Sequence, residues 1–238
     1  DLVIAADGVN SSARRDLGLD RTVRNPRSGA IRLLVPRTEF EGEDITREFW
    51  SGRLRIGVAP CTSTEVYSYL AAPLNDQRGA RAPIQASYWA EQFPALANQG
   101  FFDRADIAGG VHHPYPLVGA GAWVAGKVAL VGDAVHGLPP TLGQGAGLSL
   151  MNTSLLAATL AQHPTLEAGL QQWESQWRWV SDRTQSWARR YDWVTSEWPP
   201  AAYLFRDAII WAIGKSRRFN RYMRIADRVD APRQEVQT

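Results

Sequence analysis

The stretch Val128 to Ala161, VALVGDAVHGLPPTLGQGAGLSLMNTSLLAATLA, constrains this chain more than any other. Val128 to Val131 is a β-branched, apolar run of the length of a strand buried on both faces. Gly132-Asp133 stops it and sets a carboxylate at the strand's carboxyl end, where open α/β sheets bind ligands. Pro139-Pro140 stiffens the chain, and Gly143-Gln144-Gly145 lets a ligand come close to backbone N–H groups. From Ala146 onward, Leu148, Met151, Leu155 and Ala158 recur at helical spacing. The loop therefore runs into a helix N-terminus, whose free N–H donors and partial positive charge favour an anion. The spacing predicts a ligand site, not a plain turn.

Asp1 to Leu19, DLVIAADGVNSSARRDLGL, is the second informative stretch. Leu2 to Ala6 reads as a strand turned by Asp7-Gly8. Asn10 or Ser11 is suited to cap a short helix that Gly18 stops. Asp7, Gly8, Ser11 and Arg14 together spell D-G-x-x-S-x-x-R.

In this order the two stretches resemble the flavin motifs of class A FAD-dependent monooxygenases, the p-hydroxybenzoate hydroxylase type. G-D-A-x-H, the prolines and G-Q-G look like the second FAD motif of that family. The resemblance implies that Gly132 and Asp133 hold the ribityl chain and that Pro139 and Pro140 lie beside the isoalloxazine ring. Gly143, Gln144, Gly145 and Ala146 would face its pyrimidine end. Asp7, Gly8, Ser11 and Arg14 would lie near the FAD pyrophosphate, in a motif the family links to NAD(P)H use. The sequence departs from the pattern after the loop: the family often carries Asn two residues beyond G-Q-G and an acidic pair further on. This chain has Gly147, Met151 and Asn152 there.

The fold class implied is α+β / α/β, a partial FAD-binding domain with an inserted β-sheet substrate domain and a C-terminal helical region. Its expected segments are residues 1-27 (D-G motif), 28-116 (substrate sheet), 117-162 (G-D motif) and 163-238 (C-terminal helices). The activity implied is NAD(P)H-dependent insertion of one oxygen atom into an organic, aromatic or polycyclic substrate through a flavin C4a-hydroperoxide. A flavin oxidoreductase without oxygen insertion and a non-catalytic binding subunit stand as alternatives. The family's opening βαβ unit with G-x-G-x-x-G is not found. Gly119-Ala120-Gly121 lacks the third glycine, and Leu148 takes its place after Gly143 to Gly147. The expected partner is thus an N-terminal FAD-binding half, on a separate chain or a missing fragment.

A chain of 238 residues can bury one sizeable core or two modest ones, and a net charge of +2 gives no reason to expect nucleic acid. Cys61 is alone, which leaves no internal disulfide or cysteine metal site and fits a reducing, cytoplasmic setting. No apolar run is long enough to span a membrane.

Between the motifs, Ile31 to Val35, Thr46 to Trp50, Leu54 to Ala59 and Val66 to Ala72 read as strands, with a hairpin at Ser51-Gly52. Ala82 to Ala97 reads as one helix with Trp89 and Phe93 inward, and Ile107 to Leu117 as a returning strand. One face of this sheet, bearing Trp50, Tyr67 and Tyr69, is the expected place for a small organic substrate. His112 and His113 are candidate bases for deprotonating a phenol, and strand alternation allows only one of them to face it. Arg32 is a candidate partner for an anionic substrate. His136, inside the flavin motif, is expected to position it. No catalytic base is identified by these residues alone.

After His163-Pro164 a long helix is expected, with Leu166, Leu170, Trp173, Trp177, Val180, Thr184, Trp187, Tyr191 and Val194 as a helix-packing seam of about four heptads. That seam can face this chain's own FAD domain, a partner or a membrane surface. Trp198-Pro199-Pro200 ends the helix. Ala201 to Ile213 reads as a second, apolar helix in which Arg206 and Asp207 argue against membrane insertion, and the basic stretch Lys215 to Arg228 follows.

Overall fold

A computed structural model describes residues 1–24, 27–42 and 44–217. In chain order the elements begin with β1 (Val3–Ala5), α1 (Ser12–Asp16), β2 (Asp20–Arg24), β3 (Ser28–Pro36), β4 (Arg47–Ser51), β5 (Leu54–Pro60) and β6 (Glu65–Pro73). Then come α2 (Ala86–Gln92), α3 (Pro94–Ala97), α4 (Phe101–Ala108), β7 (Val111–Pro114), β8 (Leu117–Ala120), β9 (Val124–Ala125) and β10 (Val128–Leu130). The last are α5 (Asp133–His136), α6 (Gly145–Gln162), α7 (Leu166–Ser196) and α8 (Tyr203–Gly214). The chain divides into two compact units: Asp1–Asn25 with Pro116–Asp192 and Asp207–Thr238, and Pro26–Tyr115 with Trp193–Arg206.

The first unit is built on β1 and β10, which pair in parallel, with β9 antiparallel on the far side of β10. Both flavin-type motifs thus leave from the carboxyl ends of neighbouring strands. A short antiparallel pair, β2 with β8, stands beside them. The core gathers Ala129 and Leu130 from β10, Leu155 and Leu156 from α6, and Leu170 and Trp173 from α7. Burying a side chain of this size contributes about 1.5–3 kcal/mol, so these residues decide where α6 and α7 lie.

The long helix after Pro164 is present, and Leu148 of α6 packs with Val180 of α7. Of the three settings allowed by its seam, packing on the first unit itself is observed. Its C-terminal half differs from the expected heptads. Ala188, Asp192 and Thr195 are buried, while Trp187, Tyr191 and Val194 are only half-buried. A straight helix turns every 3.6 residues, so a 3.5-residue stripe drifts by about 20° per heptad. Over α7 that drift moves the buried face by one residue.

In the second unit, five strands pair antiparallel in the order β4-β5-β6-β3-β7. The β4–β5 hairpin turns at Gly52, whose φ of +58° is the left-handed conformation glycine adopts freely. One face of the sheet, with Ile31, Ile56 and Leu70, packs on Trp89, Phe93, Leu96, Phe101 and Phe102. The single helix expected over Ala82 to Ala97 is instead α2 and α3, broken at Phe93 (φ −130°, ψ 67°). Pro94 disfavours a helical residue before it and starts the next turn itself. The strand expected over Ile107 to Leu117 is also corrected. Ile107 lies in the last turn of α4, Gly109 and Gly110 turn the chain at φ +76° and +124°, and β7 and β8 follow as separate strands.

The second apolar helix is α8, two residues later than expected and preceded by a tight turn at Pro200–Ala202. The basic stretch Lys215 to Arg228 lies outside the described residues from position 218 on. Among the described residues, no helix is long and apolar enough to cross a membrane.

Candidate flavin site

The D-G turn is organised by its own carboxylate. Asp7 accepts from the Ser12 and Ala13 amides at 2.8 and 3.2 Å, satisfying the first donors of α1. The Ser11 hydroxyl, with these amides, lowers the Asp7 pKa to about 2. Ser11 itself is the N-cap, accepting from the Arg14 amide at 2.9 Å.

Arg14 is turned inward. Its guanidinium is only 2 % exposed and donates to Asp20 at 2.5 Å, the Ala134 carbonyl at 2.6 Å and the Val9 carbonyl at 2.9 Å. It ties the D-G helix to the G-D segment. Nothing local in the sequence signals that role, because Ala134 lies 120 residues away.

The G-D segment differs from expectation in one respect. Asp133 does not end a strand: β10 stops at Leu130, Gly132 turns at φ +62°, and Asp133 opens the four-residue helix α5. Its side chain is exposed and has no hydrogen-bond partner among the described residues. Neighbouring atoms nonetheless desolvate the carboxyl enough to raise its pKa. A free acceptor at this place suits a polyol that brings hydroxyl donors.

From α5 the chain passes through buried Pro139, exposed Pro140 and a turn at Gly143 (φ +64°) into α6. Gln144 is the N-cap residue of α6 but makes no side-chain cap bond, so no side chain at that position satisfies the helix's first amides. A Cβ built at Gly145 or Gly147 would meet nothing within 4 Å. These glycines leave open space in front of the amide donors. The Thr141 hydroxyl, in the turn before α6, is buried without a partner. Free amides, open space, an unpartnered hydroxyl and a free carboxylate fit the pyrimidine edge and ribityl chain of a flavin.

In the second unit, strand register decides which of the candidate residues share a face. One row crosses the sheet as Glu48, Gly57, Tyr69, Arg32 and Val111, and the next as Trp50, Arg55, Ala71, Ala30 and His113. Both rows lie on the face away from α2 to α4. Trp50, Tyr67, Tyr69, Arg32 and His113 therefore share it. His112 does not: it pairs with Ile31 on the helix-covered face and lies over Gly29, where a Cβ would stand 2.6 Å from its Nε2. Burial, then the neighbouring His113, lowers the His112 pKa.

Two features of this face were missed from sequence. Tyr69 lies flat across Gly57, where a Cβ would come within 2.0 Å of its ring, and its hydroxyl donates to Glu48 at 2.6 Å. Burial and then Glu48 raise its pKa. Trp50 is flanked by two buried cations, with Arg55 and Arg206 at 5.5 and 5.2 Å from its ring centre. A glycine inside a strand is the signal that could have found the first.

A parallel strand pair, an unpartnered carboxylate just after one strand and an uncapped, glycine-rich helix start are the features the comparisons with known proteins bear on. Residues 1–185 match the FAD binding domain family, and the chain belongs to it. It is 32% identical over 222 residues to the 2-heptyl-3-hydroxy-4(1H)-quinolone synthase of Mycobacteroides abscessus, covering 91% of this chain and 58% of that protein. The structure resembles 2-methyl-3-hydroxypyridine-5-carboxylic acid oxygenase, with a TM-score of 0.76 and 31% identity over 95% of this chain and 58% of that one. It also shares the fold of Klebsiella pneumoniae HpxO complexed with FAD and uric acid (TM-score 0.78, 23% identity, 95% and 59% covered). The chain thus spans just under three-fifths of the length of these proteins.

Proposed function

We propose that this chain contributes the later part of an FAD site and the substrate sheet of an NAD(P)H-using monooxygenase that places one oxygen atom on an organic ring. The observation that carries the reading is the pairing of the unpartnered Asp133 carboxylate with the uncapped, open start of α6. Bound there, reduced flavin supplies the activation of dioxygen. Asp133 accepts from ribityl hydroxyls, and the amides from Gly145 stabilise negative charge on the pyrimidine edge. The names of two of the relatives above 30% identity contain a quinolone and a pyridine, which supports a planar, nitrogen-containing aromatic substrate. The aromatic row of the second unit suits such a ring.

A dinucleotide-binding half belongs to the same proposal. β1 pairs only with β10 among the described residues, and Val3 and Ile4, on opposite faces, are 58% and 49% exposed. Parallel strands are covered on both faces in stable sheets, so β1 suits a further strand and its helices. The test is co-expression with a G-x-G-x-x-G half, followed by flavin absorbance, oxygen-dependent NAD(P)H oxidation and product mass. FAD uptake with a product one oxygen heavier supports the proposal. Oxidation of NAD(P)H with no oxygenated product from quinolones or pyridines refutes the monooxygenase, and no flavin uptake refutes the site.

A further inference from the structure

One buried polar set in the first unit is used neither by the core nor by the flavin contacts above. His136, the last residue of α5, is 1 % exposed; so are Asn152 on α6 and Ser181 on α7. The Asn152 side-chain amide stands 3.0 Å from His136 Nε2 and 2.8 Å from the Ser181 hydroxyl. The Trp173 indole N–H donates to the Asn152 carbonyl at 3.0 Å, fixing the same turn of α6 to α7.

A four-residue helix cannot hold its own position, since isolated helices of fewer than about 12 residues are marginal in water. Between α5 and α6 the chain has only the short turn at Pro140–Leu142. The place of Asp133 relative to the amides of Gly145 to Gly147 must therefore be set by contacts across the gap. Arg14 grips α5 from the D-G side. The imidazole of His136 reaches α6 and, through Asn152, α7.

We infer that His136 is a positioning residue of the flavin site: its hydrogen bond to Asn152 sets the spacing between the Asp133 carboxylate and the amides at the start of α6. The inference rests on reading that site as the flavin site. It needs a neutral ring. With the Asn152 amide donating, Nε2 accepts and the proton sits on Nδ1; with that amide reversed, Nε2–H donates to its oxygen. An imidazolium would bury a charge. Burial lowers the pKa of His136 to about 4, which keeps the ring neutral near pH 7.

The test starts with this chain alone. In His136→Leu, NMR shifts of the Gly145, Ala146 and Gly147 amides and of the Asp133 carboxyl carbon should move, and His136→Gln, which keeps a polar end toward Asn152, should restore them. Unchanged shifts in a folded His136→Leu chain overturn the inference. Should that variant fail to fold, Ser181→Ala, which loosens Asn152, is read the same way, and failure of both to fold makes the set a folding element and overturns it too. The second measurement is FAD affinity in the co-expressed assembly. His136→Leu should weaken it by about tenfold, the scale of one hydrogen bond, and by much less when Asp133→Ala is already present. Additive losses show a merely structural histidine and overturn the inference. An Asp133→Ala assembly with wild-type affinity overturns the flavin reading instead, so the two failures are separable.

Discussion

Asp133 and His136 occupy one turn of helix with opposite environments, and each predicts a different measurement. Asp133 is exposed and unpartnered, so its hydrogen bonds are available to a ligand. Bonds to a charged acceptor contribute about 1.5–3 kcal/mol. Asp133→Ala should weaken FAD by roughly ten- to a hundredfold in the assembled protein, measured by flavin fluorescence titration, with the circular dichroism spectrum unchanged. His136 is buried and neutral, with its pKa lowered from 6.5 to about 4. The unfolded chain therefore takes up this proton first. Stability is full above about pH 6.5, falls as pH drops from there to about 4, and levels off below, by up to about 3 kcal/mol. Urea unfolding of the wild type and His136→Leu across this range should give a difference curve with that slope. A flat difference removes the buried histidine as its cause.

At the scale of elements, two glycines of one loop do different work. Gly143 turns the chain at φ +64°, where a side chain costs about 1–2 kcal/mol. Gly145 lies in α6 with ordinary backbone and open space beside it. Gly143→Val should lower stability in the apo chain. Gly145→Val should leave it within about 0.5 kcal/mol, yet obstruct the amides and weaken FAD. Thermal unfolding with and without FAD separates them, and an equal loss of apo stability in both variants contradicts the assignment. On the sheet, Gly57→Ala should displace Tyr69 and destabilise by about 1–3 kcal/mol through overpacking. In a Tyr69→Ala background the same change should cost far less, a non-additivity that denaturant unfolding can read.

For the whole molecule, the exposed faces of β1 are the surface that the proposed dinucleotide-binding half would cover. The chain alone should hold FAD weakly, and the dinucleotide-binding half should raise affinity and melting temperature together, because a ligand bound only to the native state stabilises it by mass action. Tight, stoichiometric FAD on this chain alone contradicts that expectation.

Local order along the chain was enough to read the site motifs, because a strand, a turn residue and a helix start are each set by a few neighbouring residues. Asp7 and Ser11 cap the helix predicted after them, the G-Q-G loop enters a helix, and β3 to β6 lie within three residues of their expected bounds. Adjacent histidines had to face opposite ways, but only the pairing of β7 with β3 decided that His113 takes the face away from α2 to α4 and His112 the helix-covered one. The inward turn of Arg14 toward Ala134, the reach of His136 through Asn152 to Ser181, and the bed of Tyr69 on Gly57 were also decided by tertiary structure. In each case the partner is distant in sequence or on another strand, and no local preference of the backbone specifies which distant group closes a buried hydrogen bond. Packing chooses it, since a buried polar atom must find a partner among whatever the fold brings beside it.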